Sequence, residues 1–408
     1  MIGQGVAVSQ DGNVVVITTQ GLEPSRGKGG IASVYRLQPN EEWRLEQQLW
    51  PSDADISVTL GERDPLTAAS VAITPMGNLI MVGVPDHRKG QGASWLFEYQ
   101  MEETMGKKSL SWVQVATLIG TDSLPGDRQG GSVAISDDGL HMAHGAPAAR
   151  ETRGIVWVWR WNHTKHQWIQ DPVLVNPADA MYPSAFGKSL LFTISDVFSL
   201  GIRTQLIVGA PLADTVEETP IPHASPNGQV HVLEWNEKVG QWLPTEFSPI
   251  QNLKDSEGAS SFGTSLAVSA HGRALAAGGP LDAGSRGAVW ILDLWTGHPF
   301  GSKITLQGVK SNPYTRFGTT VAWNVLATRL AIGSPYESIG IGGFHTFEWD
   351  QNAPQMWRHT QYSRSTDIYL HDPCQGTALA MSRDGSTVVM GAYENKWYSG
   401  GAWIFRSD

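Results

Sequence analysis

The chain has 408 residues, 41% of them hydrophobic and 17% charged, so it holds enough material for a large core and is not a disordered segment. Its net charge of −10 opposes nucleic-acid binding, and its single cysteine, Cys374, excludes an intrachain disulfide and a cysteine-rich zinc site. No run approaches the roughly 20 apolar residues of a membrane span, and the start, Met1-Ile-Gly-Gln4, shows no signal-peptide pattern.

Read in chain order, one module of short strands and turns recurs seven times. The first holds Val6, an Asp11-Gly12 turn, Thr18-Thr-Gln20 and Trp43. The second holds Val71, Gly83-Val-Pro85 and Trp112. The third is the clearest: Gly130-Gly-Ser-Val-Ala-Ile-Ser-Asp-Asp-Gly139, Met142-Ala-His-Gly-Ala-Pro147, Gly154-Ile-Val-Trp-Val-Trp159, then Trp168. The fourth carries Leu190, Leu206-Ile-Val-Gly-Ala-Pro211, Gly228-Gln-Val-His-Val-Leu-Glu-Trp235 and Trp242. The fifth reads Phe262-Gly-Thr-Ser-Leu-Ala-Val-Ser-Ala-His-Gly272, Leu275-Ala-Ala-Gly-Gly-Pro280 and Gly287-Ala-Val-Trp-Ile-Leu292, with Phe300 standing where the others have tryptophan. The sixth holds Val321, Gly333-Ser-Pro335 and Trp357; the seventh holds Leu379, Asp384-Gly385 and Gly391-Ala-Tyr393.

Each module predicts four strands. A small-residue strand ends at an Asp-Gly turn, a strong hairpin signal. A second strand runs into Gly-Ala-Pro, a third is β-branched and aromatic, and a fourth starts near the tryptophan. Such a unit cannot bury both of its faces alone, whereas seven placed radially cover one another. The expected fold is therefore all-β: one seven-bladed β-propeller of four-stranded antiparallel blades, at about 1-55, 56-120, 121-175, 176-248, 249-308, 309-362 and 363-408. No α-helix longer than two turns is expected. The outer tryptophans are read as filler for the wide gaps between blades, with glycan stacking as the other reading. The sequence reaches only the third strand of module seven at Gly401-Ala-Trp-Ile-Phe405, which leaves two expectations open: a three-stranded last blade with an open outer edge, or a chain that is a piece of a longer protein whose flanking residues complete the blade.

The pattern Phe-Gly-x-Ser-[Val/Leu]-Ala, Asp-Gly, Gly-Ala-Pro, Gly-Ala-Val resembles the FG-GAP repeat of the integrin α N-terminal propeller, over essentially the whole chain. Phe186-Gly187, Phe262-Gly263 and Phe317-Gly318 carry its first half, and Gly145-Ala-Pro147 and Gly209-Ala-Pro211 its second. The resemblance implies a propeller, a cell-surface or extracellular setting and a binding role. The family's calcium loops are not carried over, because Ser9-Gln-Asp-Gly12, Ser136-Asp-Asp-Gly139 and Ser382-Arg-Asp-Gly385 are short and poor in carboxylates.

No nucleophile elbow, phosphate loop, zinc-protease motif or dinucleotide fingerprint occurs, so no catalytic residue, cofactor or metal is assigned. His141 and His144 lie three apart on one strand and face opposite ways; His144 reads as a buried, hydrogen-bonded ring and Cys374 as a space-filling thiol. First-strand turns are minimal, while the links and second-strand loops on the other face vary. The link Pro51 to Leu66 carries Asp53, Asp55, Glu62 and Asp64, and the blade-four loop Leu212 to Asn227 carries Asp214, Glu217, Glu218 and His223. These eight residues are the candidate partner face for a protein or glycan, since variable loops on a rigid scaffold are where binding resides. Asn162, in Asn162-His-Thr164, is the candidate glycosylation site and is expected in an exposed turn. Two other readings stay open: a structural subunit of a larger assembly that gains a strand at blade seven, or an enzyme with a site at the axial mouth.

Overall fold

The computed structural model describes residues 2–19, 31–52, 69–104, 107–175, 183–197, 201–213, 227–251, 253, 255–269, 272–294, 296, 299–306, 314–353, 356–366, 373–392 and 400–407. They form seven separate antiparallel sheets that follow one another along the chain. Blade one is Ile2–Val8, Val14–Thr19, Ala32–Leu37 and Trp43–Leu49. Blade two is Ser70–Ile73, Leu79–Val84, Ala93–Thr104 and Lys107–Leu118. Blade three is Ser132–Ile135, His141–Ala146, Ile155–Asn162 and Gln167–Gln170, with Leu174–Val175 pairing again with the third strand. Blade four is Ser189–Val197, Gly201–Ala210, Gln229–Asn236 and Gln241–Pro244; blade five is Ser265–Val268, Ala274–Gly279, Ala288–Asp293 and Pro299–Ile304. Blade six is Val321–Trp323, Arg329–Gly333, Phe344–Trp349 and Trp357–Ser363. Blade seven has three strands, Ala378–Met381, Thr387–Ala392 and Gly401–Arg406. Within each sheet the strands lie in chain order, and the seven first strands stand side by side in a ring whose seventh member returns to the first. This is a seven-bladed β-propeller. The helical segments among the described residues are four single turns of four residues each, and no helix is long and apolar enough to cross a membrane.

The register shows why the modules align. The repeated first-strand apolar residue pairs with the second strand at Val6↔Ile17, Val71↔Val82, Val133↔His144, Leu190↔Val208, Leu266↔Ala277, Val321↔Ile332 and Leu379↔Met390. Those residues pair onward with Ser33, Trp95, Trp157, His231, Trp290, His345 and Trp403 on the third strands. Trp95, Trp157 and Trp290 are among the largest fully buried side chains, each contributing on the order of 3 kcal/mol through apolar burial. The phenylalanine of each Phe-Gly pair packs edge-on against this column in its own blade: Phe186 on His231, Phe262 on Trp290 and Phe317 on His345. Where blades three and seven have Gln129 and Gln375 instead, the buried amides bond the link backbone, at Gly120 N–H and Ser365 N–H.

The glycines join the blades. A Cβ on Gly83, Gly145, Gly209, Gly278 or Gly333 would meet the carbonyl oxygen of Gly130, Gly187, Gly263, Gly318 or Gly376 in the next blade at 2.0–2.2 Å. Closure repeats the contact, with Gly391 of blade seven against Gly3 of blade one at 2.1 Å. The same carbonyls accept hydrogen bonds of 2.6–2.9 Å from a first-strand hydroxyl of the preceding blade: Ser70, Ser132, Ser189, Ser265 and Thr320. Thus the Phe-Gly and Gly-Ala-Pro signatures of neighbouring modules are two halves of one junction.

Candidate binding face

The two faces of the disc differ in how their polar groups are used. On the face formed by the turns after first and third strands, the Ser-x-Asp-Gly turns satisfy themselves. Ser9, Ser136 and Ser382 donate to Asp11, Asp138 and Asp384, and each carboxylate also accepts a backbone N–H two residues on. The His141 ring and the Ser136 hydroxyl hold the Asp138 carboxyl below its ordinary range; the Ser382 hydroxyl does the same for Asp384. Backbone bonds then tie the tips together, from Val325 N–H to Arg383, from Arg383 N–H to Gln10 and from Gln10 N–H to Pro75.

The opposite face is built from the links and second-strand loops. In blades two, three, five and six the loop has one length, from Pro85, Pro147, Pro280 and Pro335 to Gly92, Gly154, Gly287 and Gly342. Each places successive residues in the left-handed region: Arg88 and Lys89, Arg150 to Thr152, Ala283 to Ser285, Ser338 and Ile339. Left-handed non-glycine residues cost about 1 kcal/mol each, so the rest of the loop must hold them. Two features do so. The closing glycine N–H donates back five residues, as from Gly92 to His87 O at 2.9 Å and from Gly287 to Asp282 O at 2.9 Å. The third residue of the loop is buried over the third-strand column: His87 lies 4.9 Å from Trp95, and Glu337 lies 3.8 Å from His345. The tips are thereby pushed outward, and Ile339 is 82% exposed.

Over blades two and three the described part of this face carries interspersed charges, with Glu151 exposed beside Arg150 and Arg153. Arg128 pairs with Asp86 at 2.7 Å and Arg150 with Asp122 at 3.3 Å, while Arg88 and Lys89 extend from the loop tip with no ion pair among the described residues. Between blades four and five a cleft of about 390 Å³ opens, lined by Asn227, Gly228, Leu253, Ser256, Ser260 and Phe262. Ser260 Oγ donates to Asn227 O at 2.5 Å. Asp255, at the rim, accepts from Trp290 Nε1 at 2.9 Å. Beside it Lys303 Nζ is locked between buried Asp282 (2.8 Å) and Asp255 O (2.6 Å), with Glu257 at 3.5 Å. Phe262 and Ser260 are buried at its base, the Phe262 ring packed edge-on against Trp290.

All eight candidate partner-face residues (Asp53, Asp55, Glu62, Asp64, Asp214, Glu217, Glu218 and His223) lie outside the described residues. The cleft begins where the blade-four loop rejoins the described chain, at Asn227. Asn162 is the last residue of a third strand on the opposite face; its Oδ1 accepts from Lys165 N–H at 2.8 Å and an exposed turn follows. Trp112, Trp242 and Trp357 are buried as filler, while Trp43 and Trp168 are half-buried. His141 turns toward Phe192 and Trp242 of blade four, and His144 toward Ser94 of blade two, whose Oγ lies 2.9 Å from Nδ1. Cys374 is buried at φ +50, a backbone state shared by Arg128, Ala185, Ser261 and Arg316, each just before the Phe-Gly or Gln-Gly pair. The exposed loop tips were missed by the sequence reading. Their signal was the repeated Pro-to-Gly spacing of four loops.

No protein-family model matches the chain, and no curated protein matches it by sequence. Its fold is common among solved structures, of which 473 chains match. One of them, titled Kuenenia stuttgartiensis hydrazine synthase, is similar over 99% of this chain and 95% of that one, with a TM-score of 0.57 and 12% identity. At that identity the likeness is one of fold, and a fold this widespread does not specify a function.

Proposed function

We propose that this propeller is a non-catalytic recognition module, of a secreted or cell-surface protein, that binds a protein or glycan through the face carrying the links and second-strand loops. The four loops of equal length on this face carry the reading: each holds successive residues in the left-handed region and turns its tip outward, among them Arg88, Lys89, Arg150 and Ile339, and the cleft at Asn227 opens on the same face. Resemblance to integrin-type repeats supports the setting, in which Asn162 would carry a glycan. A site at the axial mouth is disfavoured because the first-strand hydroxyls there are engaged between blades. A second reading, a subunit of a larger assembly, draws support from blade seven, which has three strands among the described residues.

The test places a photo-cross-linker at Lys89, Arg150 or Ile339, and on the other face at Met76 or Leu326, in the full chain exposed to native extract. Recognition by the loop face predicts a discrete adduct from the first set and none from the second. Equal labelling from both faces, or adducts from Met76 and Leu326 alone, would contradict the proposal.

A further inference from the structure

Blade six departs from its neighbours where the second-strand loop rests on the third strand. In blades two, three and five the third-strand residue of this column is Trp95, Trp157 or Trp290; in blade six it is His345, 2% exposed. The loop places Glu337, also buried, with its Oε2 3.8 Å from His345 Nε2. On the other side of the ring, His345 Nδ1 lies 3.0 Å from Nε2 of His359, which stands exposed on the fourth strand. A carboxylate and two imidazoles thus form one chain from the interior of the blade to solvent. Neither Glu337 Oε2 nor His345 Nε2 has a hydrogen-bond partner among the described residues.

Counting protons fixes what this chain can hold. A nitrogen–nitrogen contact of 3.0 Å needs one N–H and one lone pair, so the two rings keep their bond while they carry no charge or one positive charge between them. One charge matches the single carboxylate of Glu337. A second charge sets N–H against N–H and breaks the bond. Packing against Phe347 and His345 strips water from the His359 ring, and the His345 charge opposes its protonation further; both hold its pKa below the ordinary 6.5.

The surrounding charges are engaged elsewhere. Tyr362 packs on His345, ring centres 4.7 Å apart, and donates its hydroxyl to Gly342 O at 2.9 Å, with Arg364 beside it. Arg358 pairs with Glu348 at 3.0 Å, and Arg316 lies 4.6 Å over the Tyr336 ring. The blade-five side chains in this core, Ala276, Val289, Ile291 and Ile304, do not titrate.

What the chain of three holds in place is a joint. Gly342 N–H donates to Glu337 O at 3.0 Å and closes the loop. The carbonyls of Gly340 and Ile341 accept from the N–H groups of Cys374 and Gln375 at the start of blade seven, both at 3.0 Å. The seating of the loop and the burial of Cys374 therefore depend on each other.

We propose that Glu337, His345 and His359 form a proton-operated latch on the blade-six loop: the proton shared by the rings keeps it shut, and a further proton releases the loop together with its hold on blade seven. With the latch open, His359 takes up its proton near 6.5; with the latch shut, it does so only at lower pH. The shut form is thus stable above that value and loses stability as pH falls below it.

Cys374, the single cysteine of the chain and 2% exposed, reports on the joint whatever the link face binds. The full chain is treated with a pyridyl disulfide, which exchanges with thiols at acid as well as neutral pH, and each rate is divided by that of the urea-unfolded chain at the same pH. Between about pH 7.5 and about pH 5 this normalised rate should rise at least about tenfold. His359→Gln keeps a hydrogen-bonding amide beside His345 but takes up no proton, and should cut the rise to less than about twofold. In the unsubstituted chain, hydrogen exchange corrected for its own pH dependence should speed at Gly342 N–H and not at Gly154 N–H. The latter closes the blade-three loop by its bond to Ala149 O at 3.1 Å, where alanine stands in place of the buried acid. A flat rate in the unsubstituted chain, an undiminished rise in His359→Gln, or equal acceleration at Gly342 and Gly154 overturns the proposal. The exchange comparison needs no substitution, so it decides the matter even if His359→Gln folds poorly.

Discussion

At the scale of single residues, glycine and histidine carry the clearest consequences. Replacing Gly145 or Gly209 by alanine drives a methyl into the next blade's backbone, which cannot yield as a flexible side chain would. A loss of about 3 kcal/mol in urea unfolding is expected. Gly240→Ala, at a left-handed turn with open space around it, should cost only about 1 kcal/mol. Equal losses at both kinds of site would refute the junction. Burial pushes His144 down to about 3 and His231 down to about 4. Both rings stay neutral when folded, whereas each takes up a proton near its ordinary value of 6.5 on unfolding. Stability is therefore indifferent to these rings above that value and falls with acidification below it, by about 1.4 kcal/mol per pH unit per ring. The loss stops growing as pH nears each folded value. His144→Val combined with Ser94→Ala should remove about one proton from the slope measured between pH 6 and pH 4.5. The repeat made His144 legible as a core position, because its slot holds Val82, Val208 and Ala277 elsewhere. Its bond to Ser94 was not legible, since that partner lies in another blade.

Among the elements, the Asp-Gly turns were readable because their residues act locally, within one hairpin. Their carboxylates accept hydrogen bonds from serine hydroxyls and backbone N–H groups of the same hairpin. A chelator is expected to leave the Tm unchanged; a fall of several degrees would show that ligands come from elsewhere. The second-strand loops were harder to read. Their left-handed tips consist largely of residues such as Arg, Lys, Glu, Thr, Ser and Ile, which rarely adopt that state, with glycine in it at Gly90, Gly284 and Gly340 only. What holds them is a closing glycine N–H and a buried third residue resting on the third strand, contacts that become visible only in three dimensions. Likewise the acids Glu46 and Asp171 look like ordinary surface residues until the next blade brings its tryptophan to them.

For the whole molecule, modules that are incomplete alone become a ring because, at six described junctions, a second-strand glycine of one blade meets the carbonyl of a glycine at the start of the next. The number of blades could be counted along the chain, as the register is local and repeated, whereas three strands in the last blade was one of two arrangements the sequence left open. The function could not, since the residues first singled out lie in loops whose lengths follow no repeat. The central claim concerns blade seven, which closes the ring through the same glycine contact, Gly391 against Gly3, while its third strand is the outermost of its sheet among the described residues. Hydrogen exchange of the isolated chain tests this most directly, by comparing Gly401–Arg406 with residues 155–159, which lie between two strands in blade three. The account predicts slow exchange throughout 155–159 and in the closing strand Thr387–Ala392, with 401–406 exchanging at least about tenfold faster. Amides of 401–406 as protected as those of 155–159 would show the edge already covered, and would contradict it.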